Sequence, residues 1–290
     1  MRYSTQTLAL SKKYGIKYAI SSILDAGFTA IDLTMSYGEE KIALGEDYIS
    51  LAGELRSMAE DRGAVFNQAH APFGGGVDFY LENTVPTLPR IFDFAARLGA
   101  ECIVVHPIAL PPHKERYAEC FERNLELYTR LAPYARRAGI KIAIENMWER
   151  ERGTEKIIPA ACADPKEQAA LFDALSDPET FTVCLDVGHT ALTGFSPEES
   201  IRVLENRLGA THIHDTDLVT DTHTIIGGGR LSWDSIARAL GEVNYTGYLT
   251  LECDKGYLKD VTKESAPHLL TDLREAAAHL AEKVELYRKI

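Results

Sequence analysis

The feature that most constrains this chain is an alternation. Eight short, β-rich apolar runs are separated by longer stretches whose apolar residues recur at helical spacing. The runs fall at residues 3–8, 30–34, 65–69, 102–106, 141–146, 181–186, 210–214 and 248–252. The intervening segments at 18–26, 49–62, 86–98, 115–138 and 165–175 read as helices, as do those from 197 to about 206, from 232 to about 240 and over 265–288. Gly27, Gly63, Gly99 and Gly139 stand where four of these helices must stop. Asp164, Ser196 and Ser232 stand where others begin. Ser196 is followed by Pro197, Glu198 and Glu199, a first-turn proline and two acids suited to a helix dipole.

Strands that each need a helical return crossover pair in parallel. Eight such units with no break in composition predict an α/β fold, a single (β/α)8 TIM barrel spanning 1–290, with the helix at 265–288 packed on it. A doubly wound open sheet would carry a glycine-rich phosphate fingerprint after its first strand, and none is seen. Three strand-to-helix connections are long, at 35–48, 71–84 and 147–163, and are expected to act as lids or binding loops.

Composition narrows the partners. Acidic residues number 43 against 31 basic ones, a net charge of −12. Nucleic-acid binding draws most of its energy from cationic contacts, so this balance argues against it. No apolar run approaches the roughly 20 residues of a membrane span, and the first residues lack the apolar core of a signal peptide. Five cysteines without a Cys-x-x-Cys pair suit small buried hydrophobes in a reducing cytoplasm.

Barrel chemistry gathers at the carboxyl ends of the strands. Six of the nine histidines lie in that layer: His70, His106, His189, His212, His214 and His223. Any one alone would pass for a satisfied core histidine. The set differs because Glu145, Asp186 and Glu252 bring three carboxylates into the same mouth. Ionised in a water-poor place they repel by several kcal/mol unless a cation or protons intervene. A divalent ion with nitrogen and oxygen ligands meets that need, and manganese, zinc, iron and cobalt all suit. His113 lies outside the layer, so its replacement by alanine is expected to be nearly silent.

The succession His70-Ala71-Pro72, Val105-His106-Pro107, Ile144-Glu145-Asn146, Asp186-Val187-Gly188-His189, His212-Ile213-His214-Asp215, Asp221-Thr222-His223 and Leu251-Glu252 resembles the xylose isomerase-like superfamily of barrels over roughly residues 1–255. That superfamily includes sugar isomerases and 3-epimerases, hydroxypyruvate isomerases, inosose dehydratases and the apurinic-site endonucleases of AP endonuclease family 2. The resemblance implies a metal held by Glu145, Asp186, His212 and Glu252. His212 is preferred to His214 because an acid, Asp215, follows it at the third position. His214 shares its strand parity and remains the alternative. Glu145 and Glu252 would also move protons beside a metal-polarised carbonyl. His70, His106, His189, His214, His223, Trp148 and Arg230 would contact substrate.

The endonuclease members hold a zinc cluster. Its additional ligands fall at positions matched here by His70, His106, His189, Asp221 and His223, a second candidate metal set. The net negative charge, Met147 and Trp148 after Ile144-Glu145-Asn146, and Tyr245-Thr246-Gly247-Tyr248 before the last strand resemble the sugar branch instead. One segment departs from the pattern. Many relatives carry a Pro-Gly-Glu-Gly type turn where this chain has Gly227-Gly228-Gly229-Arg230. That is either a flexible turn or a place where backbone N–H groups and Arg230 meet a phosphate.

The expectation is a metal-dependent isomerase or epimerase of a sugar, sugar phosphate or related polyol. A zinc-cluster phosphodiesterase like endonuclease IV and an inosose dehydratase-like lyase are the alternatives. Expected with it are a cytoplasmic location, a small carbohydrate as partner, no membrane, and a homo-dimer or tetramer.

Overall fold

The computed structural model describes residues 1–35, 41–74 and 76–288. Eight strands close into one parallel barrel: β1 (Arg2–Gln6), β2 (Ala30–Thr34), β3 (Val65–His70), β4 (Cys102–Val105), β5 (Lys141–Glu145), β6 (Phe181–Asp186), β7 (Leu208–Ile213) and β8 (Tyr248–Leu251). Each pairs with its neighbour in sequence, and β8 closes on β1 through Arg2 opposite Tyr248 and Thr5 opposite Leu251. This is the (β/α)8 architecture that the alternation predicts.

Side chains of a strand point to opposite faces in turn, and that rule sorts the core. Outward residues such as Ile31, Leu33, Ile103, Val105, Ile142, Ile144, Leu185, Leu249 and Leu251 are buried against the helical ring in one large apolar cluster. Inward residues Cys102, Val104, Ala143, Cys184 and Ala210 form a second, small cluster inside the barrel. They are compact because the lumen of an eight-stranded barrel holds little volume. The other side of the lumen is polar. Ser4, Asn67 and Gln68 all hydrogen-bond the Thr250 hydroxyl, and Gln68 also reaches Asp32.

Two register slips keep this order. Phe66 lies opposite Ile31, yet Gln68 lies opposite Asp32, so Asn67 is an extra residue in β3. Likewise Leu208 lies opposite Val183 and Ala210 opposite Cys184, so Gly209 is extra in β7. One inserted residue reverses every later side chain. Phe66 and Leu208 therefore face outward while His70 and His212, an even number of residues on, face inward. Gly209 suits its slip, because a Cβ there would lie 2.1 Å from the Thr182 hydroxyl.

Several boundaries differ from expectation. β1 stops at Gln6, and a helix (Leu8–Tyr14) begins where the strand was expected to end. Its Leu8, Leu10 and Ser11 are buried, and Gly15 at φ 86° separates it from the helix Ile16–Asp25. The connection at 147–163 is a β-hairpin, Trp148–Arg150 against Ile157–Pro159. A short helix, Val187–Leu192, follows β6 where none was expected. The long connections at 35–48 and 71–84 contain residues 36–40 and 75, and the expected 1–290 span contains 289–290. These positions lie outside the described residues. Asp164 and Ser196 do cap their helices, accepting from the N–H groups of Lys166 and Glu199, whereas Ser232 makes no side-chain cap bond. The last helix, Ala266–Leu286, packs against β1, β8 and the helices Ile16–Asp25 and Trp233–Glu242.

His113 stands outside the mouth, as expected, and holds a structural contact there. It is 5% exposed, its Nε2 is 3.0 Å from the Glu167 carboxylate, and its backbone N–H donates to Glu149 of the hairpin. Burial works against the charged ring, but its hydrogen-bonding neighbours Cys120 and Glu167 outweigh this and push it up to about 10. A group raised from an unfolded value near 6.5 stabilises the fold fully below pH 6.5, and loses that contribution as pH climbs through 10. His113→Gln is thus expected to melt well below the wild type at pH 6, with the gap closing towards pH 10. Calorimetric melting across that range checks it, and a gap independent of pH would refute the ion pair.

Candidate metal centre

The inward parity that places Ala143, Cys184 and Ala210 in the lumen places the next inward residue of each strand at the mouth. Those residues are Glu145, Asp186 and His212. Glu252, one residue beyond β8, shares parity with Thr250 and joins them. One ligand atom from each of these four lies within 4.8 Å of the others. At the centre stands His212 Nδ1, 2.9 Å from a Glu252 oxygen, 3.0 Å from Glu145 Oε1 and 3.9 Å from Asp186 Oδ2. All four side chains are buried.

The charges read consistently. Burial alone would lift Glu145, yet His212 and His106 hold it well below the usual carboxylate range. Burial likewise opposes ionisation of Glu252, and His212 outweighs it. For Asp186, His189 and His214 do the same against burial. His212 is driven the other way. Burial would lower it, but Cys184, Glu252 and Glu145 raise it well above its ordinary value. Carboxylates so buried stay ionised only beside positive charge: the raised His212 lies between Glu145 and Glu252, while His189 and His214 flank Asp186. A divalent ion bound by the same nitrogen and oxygens fits this donor set.

A second rank of groups orients the first. His106 Nε2 is 2.9 Å and His70 Nε2 3.3 Å from Glu145 Oε2, the oxygen turned away from His212. Phe73 packs on both imidazoles, with ring centroids 4.9 Å from His70 and 4.8 Å from His106. Asp186 receives the His189 backbone N–H at 2.7 Å, so the helix Val187–Leu192 begins on this carboxylate. His214 Nε2 lies 3.0 and 3.1 Å from its two oxygens. The Asn146 side chain brackets the Asp186 backbone, accepting from its N–H and donating to its carbonyl.

The remaining predicted residues fall in distinct places. His189, Asp221 and His223 meet beside His214, giving a second group whose ligand atoms also lie within 4.8 Å of one another. His70 and His106 turn instead to Glu145. The second candidate set is therefore divided between two places. Trp148, on the hairpin, stands edge-on to His189 with centroids 6.3 Å apart. Arg230 lies on an exposed turn, and its backbone N–H donates to Thr216.

That turn already holds an anion. The buried Asp215 carboxylate accepts from the N–H groups of Gly227, Leu231 and Thr216 and from the Trp233 indole. A Cβ on Gly229 would lie 2.3 Å from Asp215 Oδ1, so the glycine lets the turn close on this carboxylate. Asp215 thus ties the segment after β7 to the helix Trp233–Glu242.

Sequence reasoning missed Asp32, Asn146, Asp254, whose carboxylate lies 3.3 Å from His223 Nδ1, and Lys255, which pairs with Asp221. Asp32 had a legible signal, a charge at an inward position of an otherwise apolar strand. Burial pushes it up to about 6, against the pull of His212 and His70. Lys255 had none beyond its distance from Glu252 in the chain.

With this geometry in place, the chain can be set beside known proteins. A family described as xylose isomerase-like TIM barrel matches residues 20–283. An uncharacterized protein of Methanocaldococcus jannaschii is 27% identical over 224 residues, 73% of each chain. Among solved structures, D-psicose 3-epimerase in the presence of D-fructose superposes with a TM-score of 0.73 at 20% identity, over 98% of this chain and 99% of that one. The 3-keto-D-glucoside 4-epimerase of E. coli superposes with a TM-score of 0.69 at 19% identity, over 95% and 99%. At such identities the likeness is one of fold.

The close approach at Gly188 gives a prediction. A Cβ there would lie 2.0 Å from His214 Cε1, so the ring must move. Gly188→Ala is expected to cost about 1–3 kcal/mol of stability and to weaken divalent-ion binding by releasing His214 from Asp186. Urea denaturation and ion titration of the variant check both, and wild-type values in both would refute the contact.

Proposed function

Because the chain belongs to the xylose isomerase-like TIM-barrel family, we propose that it is a divalent-metal-dependent isomerase or epimerase acting on a sugar or a related polyol. The observation that carries the reading is the convergence of Glu145, Asp186, His212 and Glu252 on one point in a buried mouth. Glu145, Asp186, His212 and Glu252 would hold the ion. The sugars of two structural neighbours, D-fructose present with the one and the 3-keto-D-glucoside for which the other is named, agree in class.

When bound, manganese, zinc, iron or cobalt would draw electron density from a substrate carbonyl and so acidify the neighbouring C–H. The protein's own groups then carry the proton. Glu145 and Glu252 approach the His212 ring from separate strands and make a pair for removal and return. One takes the proton from the carbon beside the carbonyl. The other, protonated from water, would deliver its proton to the opposite face of that carbon, inverting it, or to the former carbonyl carbon, which moves the carbonyl once the neighbouring hydroxyl proton passes to the former carbonyl oxygen. His70 and His106 fix the second oxygen of Glu145 and would set which oxygen faces the substrate. His189, His214 and His223 would meet substrate hydroxyls, and Trp148 on the hairpin would cover the bound molecule.

The turn at 227–230 reserves no phosphate in this reading, since the Asp215 carboxylate takes the donors of Gly227 and Leu231. An unphosphorylated substrate is therefore proposed. A dehydratase-like lyase would begin with the same proton removal and then expel a hydroxyl from the next carbon, so its product tells the two apart.

Solvent exchange tests the proposal. In D2O with Mn²⁺, ketoses and keto-sugars are expected to gain deuterium at the carbon beside the carbonyl, read by NMR. Glu145→Gln is expected to lose about 10²–10⁴-fold in turnover and to bind the ion more weakly. Unchanged turnover in that variant, or no exchange with any ketose or keto-sugar offered, would overturn the assignment.

A further inference from the structure

The group formed by His189, His214, Asp221 and His223 has the ligands of a second divalent-ion site, three imidazoles and a carboxylate. Its acceptors converge without enough donors. His189 Nδ1 is 3.0 Å from the Asn146 carbonyl, which only accepts, so that nitrogen bears a proton and, in the neutral ring, Nε2 keeps the lone pair. This Nε2 is buried, makes no hydrogen bond and faces Asp221 Oδ1 at 3.6 Å, while His223 Nε2 lies 3.0 Å from the same oxygen. His223 Nδ1 is 3.0 Å from the Glu252 carbonyl and 3.3 Å from Asp254 Oδ1, so it also bears a proton. An unpartnered imidazole nitrogen and a carboxylate aimed into one space call for a cation.

The chain supplies one. Lys255 Nζ lies 2.5 Å from Asp221 Oδ2 and 3.1 Å from His223 Nε2. An ammonium has donors only, so the Asp221 carboxylate accepts from it. Its seat is fixed by the backbone. A Cβ on Gly256 would lie 2.1 Å from the Thr222 carbonyl oxygen, so glycine alone lets the segment after Glu252 run against residues 222 and 223. The Tyr257 N–H donates to the His223 carbonyl across that contact. The lysine side chain is 46% exposed while that of the Asp221 it grips is 7% exposed.

We propose that the Lys255 ammonium occupies the second cation position of the barrel mouth and limits the centre to one divalent ion. The inference rests on the metal-dependent reading above. Charge gives the selectivity. Glu145, Asp186 and Glu252 offer a divalent ion three negative charges, whereas the ammonium of Lys255 cancels the charge of Asp221, the one carboxylate in the second group. Without the ammonium the second group keeps its carboxylate and three imidazoles, a donor set that zinc accepts. The residue that a zinc-cluster hydrolase would have to lack is thus what assigns this mouth to single-ion chemistry.

Zinc stoichiometry tests it. Chelator-stripped full-length protein is loaded with Zn²⁺, desalted and assayed by inductively coupled plasma mass spectrometry, with calorimetric titration alongside. Wild type and Lys255→Arg are expected to keep one ion per chain, and Lys255→Met two. Lys255→Gln is the second neutral variant should Lys255→Met not fold, and circular dichroism checks each fold. Two or more ions in the wild type, or one in both neutral variants, would overturn the role of Lys255 while leaving the metal centre standing. No ion in the wild type would overturn the metal centre and this inference with it.

Discussion

Three ionised carboxylates meeting around one imidazole nitrogen is the constraint on which the rest of the mouth depends. Glu145, Asp186 and Glu252 are each excluded from water, and His212 Nδ1 lies within 4 Å of all three. Like charges so buried stay together only around a cation. The surroundings follow from that demand. His70 and His106 meet the far oxygen of Glu145, His214 meets both oxygens of Asp186, and a helix starts on Asp186. Each contact lets a charge remain in a place that would otherwise neutralise it.

The barrel supplies the geometry at small cost in volume. Its lumen is filled below the mouth by compact residues on one side and by hydrogen-bonded polar residues on the other. The functional groups therefore rest on strands whose outward faces are locked into the helical ring. Single-residue slips at Asn67 and Gly209 keep His70 and His212 on the inner face despite outward-facing Phe66 and Leu208. The loops add a second level of order. Asp215 closes the turn after β7, and Gly256 presses the segment after β8 against His223. One carboxylate and one glycine, neither at the candidate metal, decide where Asp221, His223 and Lys255 stand.

Much of this was legible in the sequence for a physical reason. Strand parity and helical period are local properties, so the alternation alone predicted the barrel and β2 and β6 to the residue. The six layer histidines and three carboxylates were legible because strand ends are where a barrel exposes side chains to its mouth. The hairpin at 148–159 was not, because its pairing lies within a stretch long enough to read as a loop. The helix at Leu8–Tyr14 was not, because its first apolar residue continues the strand before it. His113 was read as idle because its partner Glu167 lies 54 residues away.

The sequence by itself determined the fold and the kinds of atom at the mouth, since both follow from period and residue chemistry. Only the tertiary structure decided between His212 and His214 at the centre of the carboxylates, divided the remaining histidines between two places, and turned the triple-glycine segment towards Asp215. These depend on distances between residues far apart in the chain. The ammonium of Lys255 belongs to the same class: what it neutralises is set by how two loops meet, and no local pattern encodes that meeting.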